Sequence, residues 1–182
     1  MKPYQKILFP VIVALQIAVL GFMITRQEML LARGTKVLLR CQPIDPRSLF
    51  SGDYVILNYE ISIISEEIIA GSGIKNTGNL EKKEIYVALK PKAEGKYYMA
   101  AAISENRDEL KKLYPLIIKG RVEYASNTLQ VRYGVESYFV PQREGKIIEE
   151  SLKNVSVEVS VSENGDSAIS KLFIDGKEVK FY

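Results

Sequence analysis

The residues best equipped for chemistry stand in two short blocks of the 182-residue chain. The first, Cys41-Gln42-Pro43-Ile44-Asp45-Pro46-Arg47-Ser48-Leu49-Phe50-Ser51-Gly52-Asp53-Tyr54, gathers two carboxylates, a guanidinium and a phenol into one turn-rich stretch. Pro43 and Pro46 favour extended or turn geometry, and Gly52-Asp53 can adopt backbone angles that other residues resist. Asp45, Arg47 and Asp53 can line a polar recess beside an exposed Tyr54. They can equally cap backbone N–H groups and fix a crossover into the next strand. The second block, Arg132-Tyr133-Gly134-Val135-Glu136-Ser137-Tyr138-Phe139-Val140-Pro141, reads as an aromatic strand edge bent at Gly134, with Glu144 and Glu149 beyond it. Glu136, Glu144 and Glu149 invite a carboxylate site for glycosidic acid–base work or for Ca²⁺, but both chemistries demand fixed separations. Solvated surface positions account for these three residues more simply.

The chain contains no histidine. Ser-His and Cys-His relays, histidine metal sites and histidine pH switches are therefore excluded. The one cysteine, Cys41, can form no internal bridge and reads as a small buried hydrophobe. A serine activated by a lysine of lowered pKa needs no imidazole. Ser48 and Ser51 supply hydroxyls, but Lys82, Lys83, Lys90 and Lys92 lie in charged stretches typical of solvated surface.

What must position these groups begins with an uncharged run from Ile7 to Ile24, ILFPVIVALQIAVLGFMI, whose one strongly polar side chain is Gln16. As a helix it extends about 27 Å at ~1.5 Å per residue, against a hydrocarbon thickness of ~30 Å. Pro10 is expected in the first turn or so, where few backbone bonds are lost. The run is longer than the ~7–15 residues of a signal-peptide core, and Thr25-Arg26-Gln27-Glu28-Met29 lacks a small-x-small cleavage pattern, so an uncleaved anchor is expected. Lys2 and Lys6 favour a cytoplasmic amino end and an extracytoplasmic remainder. Two of the 25 basic residues precede the helix, so 23 remain against 22 acidic ones, which leaves no nucleic-acid footprint. The expected organisation is a tail and anchor over residues 1–25, a juxtamembrane stretch over 26–35 and a β domain over 36–182.

Within that domain, strand patterns cover 36–41, 53–61, 84–89, 97–103, 116–124, 129–133, 155–161, 168–174 and 178–182. Asn164-Gly165 and Asp175-Gly176 are strong hairpin cues. Ile63-Ile64 and Ile68-Ile69 have helical spacing, residues 144–152 read as a second helical stretch, and no long helices alternate with the strands. The fold class is mainly β: one antiparallel sandwich or partly open barrel with one or two short helices, after an N-terminal transmembrane helix.

Gly52-Asp53-Tyr54-Val55-Ile56-Leu57-Asn58-Tyr59 resembles, position for position, the signature of the GDYXXLXY family, whose members are membrane-anchored and have no assigned biochemical activity. Pro43 to Phe50 is similar to that family's lead-in, and Arg132 to Pro141 to a second block, except that Gln142 stands where the pattern has an acidic residue. The stretch Leu49-x-x-Gly52-Asp53-x-Val55 is also similar to the strand entry of type I signal peptidases. Their nucleophile lies five residues before that leucine, where this chain has Ile44. The sequence thus favours a non-enzymatic, membrane-anchored protein whose β domain binds a protein partner in the membrane or envelope, without cofactor or metal. Candidate binding residues are Asp45, Arg47, Asp53, Tyr54, Tyr59, Tyr133, Glu136 and Tyr138. The competing class is an envelope hydrolase using carboxylates or a Ser-Lys pair, and a third reading is an assembly subunit with Gln16 and Gly21 facing another membrane helix.

Overall fold

A computed structural model describes residues 3–42, 54–74, 76–93, 95–139 and 154–180. It opens with one long helix, α1 (Pro3–Arg33), whose stretch Leu8–Arg33 is long and apolar enough to cross a membrane. Leu15, Phe22, Met23 and Ile24 are among its exposed apolar side chains. Because the helix starts at Pro3, Pro10 stands in its interior and not in its first turn, where the missing N–H removes a bond to the carbonyl four residues back. The same helix continues without interruption past Thr25 to Arg33.

Eleven strands follow among the described residues: β1 (Thr35–Arg40), β2 (Tyr54–Ile56), β3 (Ile63–Ile64), β4 (Glu84–Pro91), β5 (Tyr98–Ser104), β6 (Ile117–Ala125), β7 (Leu129–Arg132), β8 (Ser137–Phe139), β9 (Val155–Val161), β10 (Ser167–Ile174) and β11 (Lys177–Val179). They pair antiparallel in the orders β1-β9-β10-β11, β2-β8 and β3-β7-β6-β4-β5. The sheets curl towards a nearly closed barrel. β1 lies against β5, and Lys119 of β6 donates its N–H to the Gly165 carbonyl in the β9–β10 turn at 2.8 Å. Val37, Leu39, Leu57, Ile85, Ile118, Leu129, Val157 and Val159 fill the shared core, and each such burial is worth roughly 1.5–3 kcal/mol. This is the mainly β, antiparallel class that the strand patterns predict.

Several local expectations differ. The alternation over 53–61 holds in burial, with Val55, Leu57, Tyr59 and Ile61 inside. As regular strand, however, only Tyr54–Ile56 persists, because residues 60–62 tighten into a 3₁₀ turn. Ile63-Ile64 is a strand paired with β7, so the helix α2 (Glu66–Gly71) starts only after Ser65. Two β-branched residues with a partner edge available outweigh the helical spacing. A further helix, α3 (Arg107–Lys111), is capped by Asn106, whose side chain accepts the Asp108 N–H at 3.0 Å. The helical reading of residues 144–152 lies outside the described residues.

The strand β9 runs Val-Ser-Val-Glu-Val-Ser-Val and buries Ser156 and Ser160 as well as its valines. Ser160 is covered by the end of α1: its Oγ donates to the Leu30 carbonyl at 2.6 Å. Gly34 makes this approach possible. A Cβ there would stand 2.2 Å from Ser160 Oγ and 2.6 Å from the Leu30 carbonyl oxygen. Arg26 closes the junction through a 2.6 Å ion pair with Asp166. The helix α1 is therefore docked on the β domain.

Candidate functional site

The second block meets the end of the first and the residues just after it. Strand β2 pairs with β8 in the register Tyr54↔Phe139, Val55↔Tyr138 and Ile56↔Ser137, and the Leu57 N–H continues the ladder to the Glu136 carbonyl at 2.7 Å. Beyond it the side chains cross. Tyr59 donates its hydroxyl to the Val135 carbonyl, and Tyr133 donates its hydroxyl back to the Ile61 carbonyl at 2.6 Å. Each segment thus supplies a phenol that satisfies a backbone acceptor of the other.

Glu136 holds the turn between them. Its carboxylate oxygens accept the N–H groups of Tyr133 at 2.5 Å and Gly134 at 2.9 Å. Gly134 has φ of +79°, a conformation that favours glycine, and its turn aims both N–H groups at the one side chain. Glu136 is buried, which corrects its reading as a solvated surface carboxylate. The physical reason is local: two charge-assisted bonds replace the water it loses. Cys41 completes the surroundings, bridged to Tyr59 across the backbone and buried as expected.

Burial, and secondarily the charges of Cys41 and Glu136, push the Tyr59 hydroxyl well above its ordinary pKa. Burial and then Glu136 push Tyr133 up in the same way. Burial, followed by Glu60, raises the Cys41 thiol to about 12, and burial raises Tyr138. These groups are protonated at neutral pH. A thiol so disposed is a poor nucleophile, and phenols spent on backbone carbonyls are not free to move protons. The arrangement holds two segments together.

Of the eight candidate residues, the structure brings Tyr59, Tyr133 and Glu136 into this lock, with Tyr59 fully buried. Tyr138 sits half-buried on β8, and the Tyr54 backbone pairs with Phe139. Asp45, Arg47 and Asp53 lie outside the described residues, as do Ile44, Ser48, Ser51, Gln142, Glu144 and Glu149. Among the described lysines, Lys92 pairs with Glu60 at 2.5 Å and Lys83 with Glu105 at 3.2 Å. No group of three potential metal-ligating side chains occurs among the described residues.

A family model described as GDYXXLXY protein matches residues 16–172. The chain belongs to the GDYXXLXY family. No curated protein and no solved structure matches it. In this GDYXXLXY protein the signature's leucine, Leu57, is a core residue and its last tyrosine, Tyr59, is half of the reciprocal lock.

A second feature of the GDYXXLXY domain escaped the sequence. On the outer face of the five-stranded sheet, Ile63, Gln130 and Tyr124 stand side by side on β3, β7 and β6. Ile63 is 51% and Tyr124 60% exposed. The neighbouring row across β4, β6 and β7 is Glu84, Arg121 and Arg132. Strict alternation would send Tyr124 inward with Gly120 and Val122. A register shift between Val122 and Tyr124 turns it outward, and no sequence period announces such a bulge.

Proposed function

We propose that this protein is anchored by α1 in the cell membrane, with its β domain on the extracytoplasmic side, and that the outer face of the five-stranded sheet binds a protein partner in the membrane or envelope. The observation that carries this reading is the exposed Ile63–Tyr124 row beside Arg121 and Arg132. Aromatic residues and arginine are the side chains enriched at protein interfaces, and Tyr and Arg dominate their energetic centres. The buried lock keeps β7 and β8 in place behind that face, so the signature residues serve the surface without touching the partner.

A photo-crosslinking residue at Tyr124 in native membranes tests this, with the same residue at Leu113, which is 79% exposed away from the row, as the comparison. Tyr124 should yield a discrete protein adduct that Leu113 does not, and Ile63→Ser should abolish it. Identical adducts from both positions, or none from either, would refute the assignment of this face. A reporter fused after Tyr182 that is active only outside the cytoplasm supports the orientation, and one active in the cytosol overturns it.

A further inference from the structure

Where α1 leaves its apolar run, the helix and the β domain do not close completely. Between them lies a cleft of about 330 Å³, at the lower end of the ~300–1,000 Å³ typical of ligand sites. Met23, Arg26 and Leu30 form its helix wall, and Lys119, Asp166 and Ser167 its domain wall. We propose that this cleft seats the headgroup of an anionic membrane phospholipid. The proposal rests on the membrane anchoring of α1 but not on the partner face or on the orientation.

Height is the first argument. Met23 belongs to the last turn of the uncharged run, and Arg26 is the first charge beyond it. At ~1.5 Å per residue, Met23 to Leu30 covers about 10 Å of axis. Outside the hydrocarbon, the polar layer of a leaflet is roughly 5–8 Å thick. The cleft therefore starts at the edge of the acyl chains and crosses the headgroup layer. Met23 at its lower end is 60% exposed, so its thioether side chain is open to an acyl chain or glycerol.

Charge is the second. Two cations converge on one carboxylate: Asp166 lies 2.6 Å from Arg26 and 3.7 Å from Lys119. Lys119 is shared with Glu84 at 3.8 Å, which Arg121 meets at the same distance, so across the network three cations face two carboxylates and one positive charge is left over. A phosphodiester entering between Arg26 and Lys119 would find two donors, and the guanidinium suits phosphate oxygens. The uncharged wall around them has the mixed polarity of an amphiphile, with Leu30 and Met23 on one side and Ser167 on the other. Both cations also stand on fixed elements, Arg26 on the docked helix and Lys119 within β6.

The test uses the full chain, extracted in detergent and titrated with phosphatidylglycerol or phosphatidylcholine while retained lipid is counted by native mass spectrometry. The wild type should retain phosphatidylglycerol in preference. Lys119→Gln and Arg26→Gln should each lower the preference roughly tenfold, which corresponds to ~1.4 kcal/mol; Lys119→Arg should keep it, and Asp166→Asn, which removes the carboxylate that both cations share, should raise it. Equal retention of the two lipids by the wild type, or a preference unchanged in both glutamine variants, would overturn the proposal. Inorganic phosphate binding at the same strength in lipid-free micelles, and lost in the same variants, would make the cleft a phosphate site and also overturn it. Carbonate washing of native membranes separates the two levels: release of the chain defeats the anchoring, whereas a retained chain without lipid preference defeats the cleft alone.

Discussion

Replacing Tyr59 and Tyr133 by Phe, singly and together, addresses the lock directly, because each change removes one hydroxyl and keeps the ring in the core. The hydroxyl of Tyr59 serves the Val135 carbonyl and that of Tyr133 the Ile61 carbonyl, both buried. A net hydrogen bond is worth ~0.5–1.5 kcal/mol, and a buried acceptor left short of a partner costs ~1–3 kcal/mol. Each single variant should therefore lose about 1–3 kcal/mol. For a chain of this size that is a fall in Tm of roughly 2–4 °C per kcal/mol. The two bonds tie the same pair of segments, so once one is gone the other has less order to preserve. The double variant should lose less than the sum, with a coupling of about 0.5–1.5 kcal/mol. Urea titration of the full chain in micelles, followed by far-ultraviolet circular dichroism, measures all four corners of the cycle. Tyr124→Phe, on the exposed face, is the control and should stay within about 0.5 kcal/mol of wild type. Losses below 0.5 kcal/mol in both single variants would remove the lock from the account of stability. Strict additivity would show that the two phenols act independently.

Alkaline pH should unfold the domain early. Cys41 and the two lock tyrosines have folded pKa values raised above their unfolded values, so their contribution is complete below about pH 9 and is lost as the pH climbs through the folded values. Unfolding then releases protons, and stability should fall by ~1–1.5 kcal/mol per pH unit for each group in its window. Cys41 alone, moving from 9.0 to about 12, accounts for about 4 kcal/mol, and Cys41→Ala should flatten the curve between pH 9 and 10 while leaving the tyrosine-driven fall above it; an unaltered profile would contradict the shift. Gly34→Ala forces a Cβ into Ser160 Oγ and the Leu30 carbonyl oxygen. It should cost about 1–3 kcal/mol by overpacking and expose the segment between Leu30 and Gly34 to limited proteolysis, and a variant as protease-resistant as wild type would show that the helix does not depend on this contact.

Much of the architecture was legible from local patterns. Asn164-Gly165 and Asp175-Gly176 lie at the turns that separate β9, β10 and β11: Asp175 and Gly176, both at positive φ, form the two-residue turn between Ile174 and Lys177, and Gly165 takes the positive φ of the longer β9–β10 loop. The alternation of Val55, Leu57, Tyr59 and Ile61 gave the core face correctly even where the strand itself ended. That same alternation placed Tyr59 inside, which conflicts with its reading as a contact residue. Glu136 was misread for another reason: its partners are backbone N–H groups two and three residues away, and their direction depends on the positive φ of Gly134. The buried serines of β9 were hidden because the element that covers Ser160 is α1, more than a hundred residues earlier. Asn106-Arg107-Asp108-Glu109 carries a capping pattern for α3 that strand periodicity on either side overshadowed. Tyr124 depended on a bulge, which has no period to read.

The misreadings of Tyr59 and Glu136 share a direction, and it bears on what the signature does. Residues of a binding surface must be exposed, and Leu57 and Tyr59 are among the most buried in the molecule. Tyr59 also reaches a carbonyl 76 positions away, a contact of high sequence separation that local propensity cannot supply. Crossed by the reply from Tyr133, it fixes β2 against β8 and the Gly134 turn against β10, where Ser167 Oγ donates to the Tyr133 carbonyl at 3.0 Å. The lock therefore connects two places that face outward: the sheet face carrying Ile63 and Tyr124, through β7, and the cleft beside Arg26, through Tyr133 and Ser167. A change within the lock should disturb both, whereas a change at Tyr124 or Lys119 should disturb only its own.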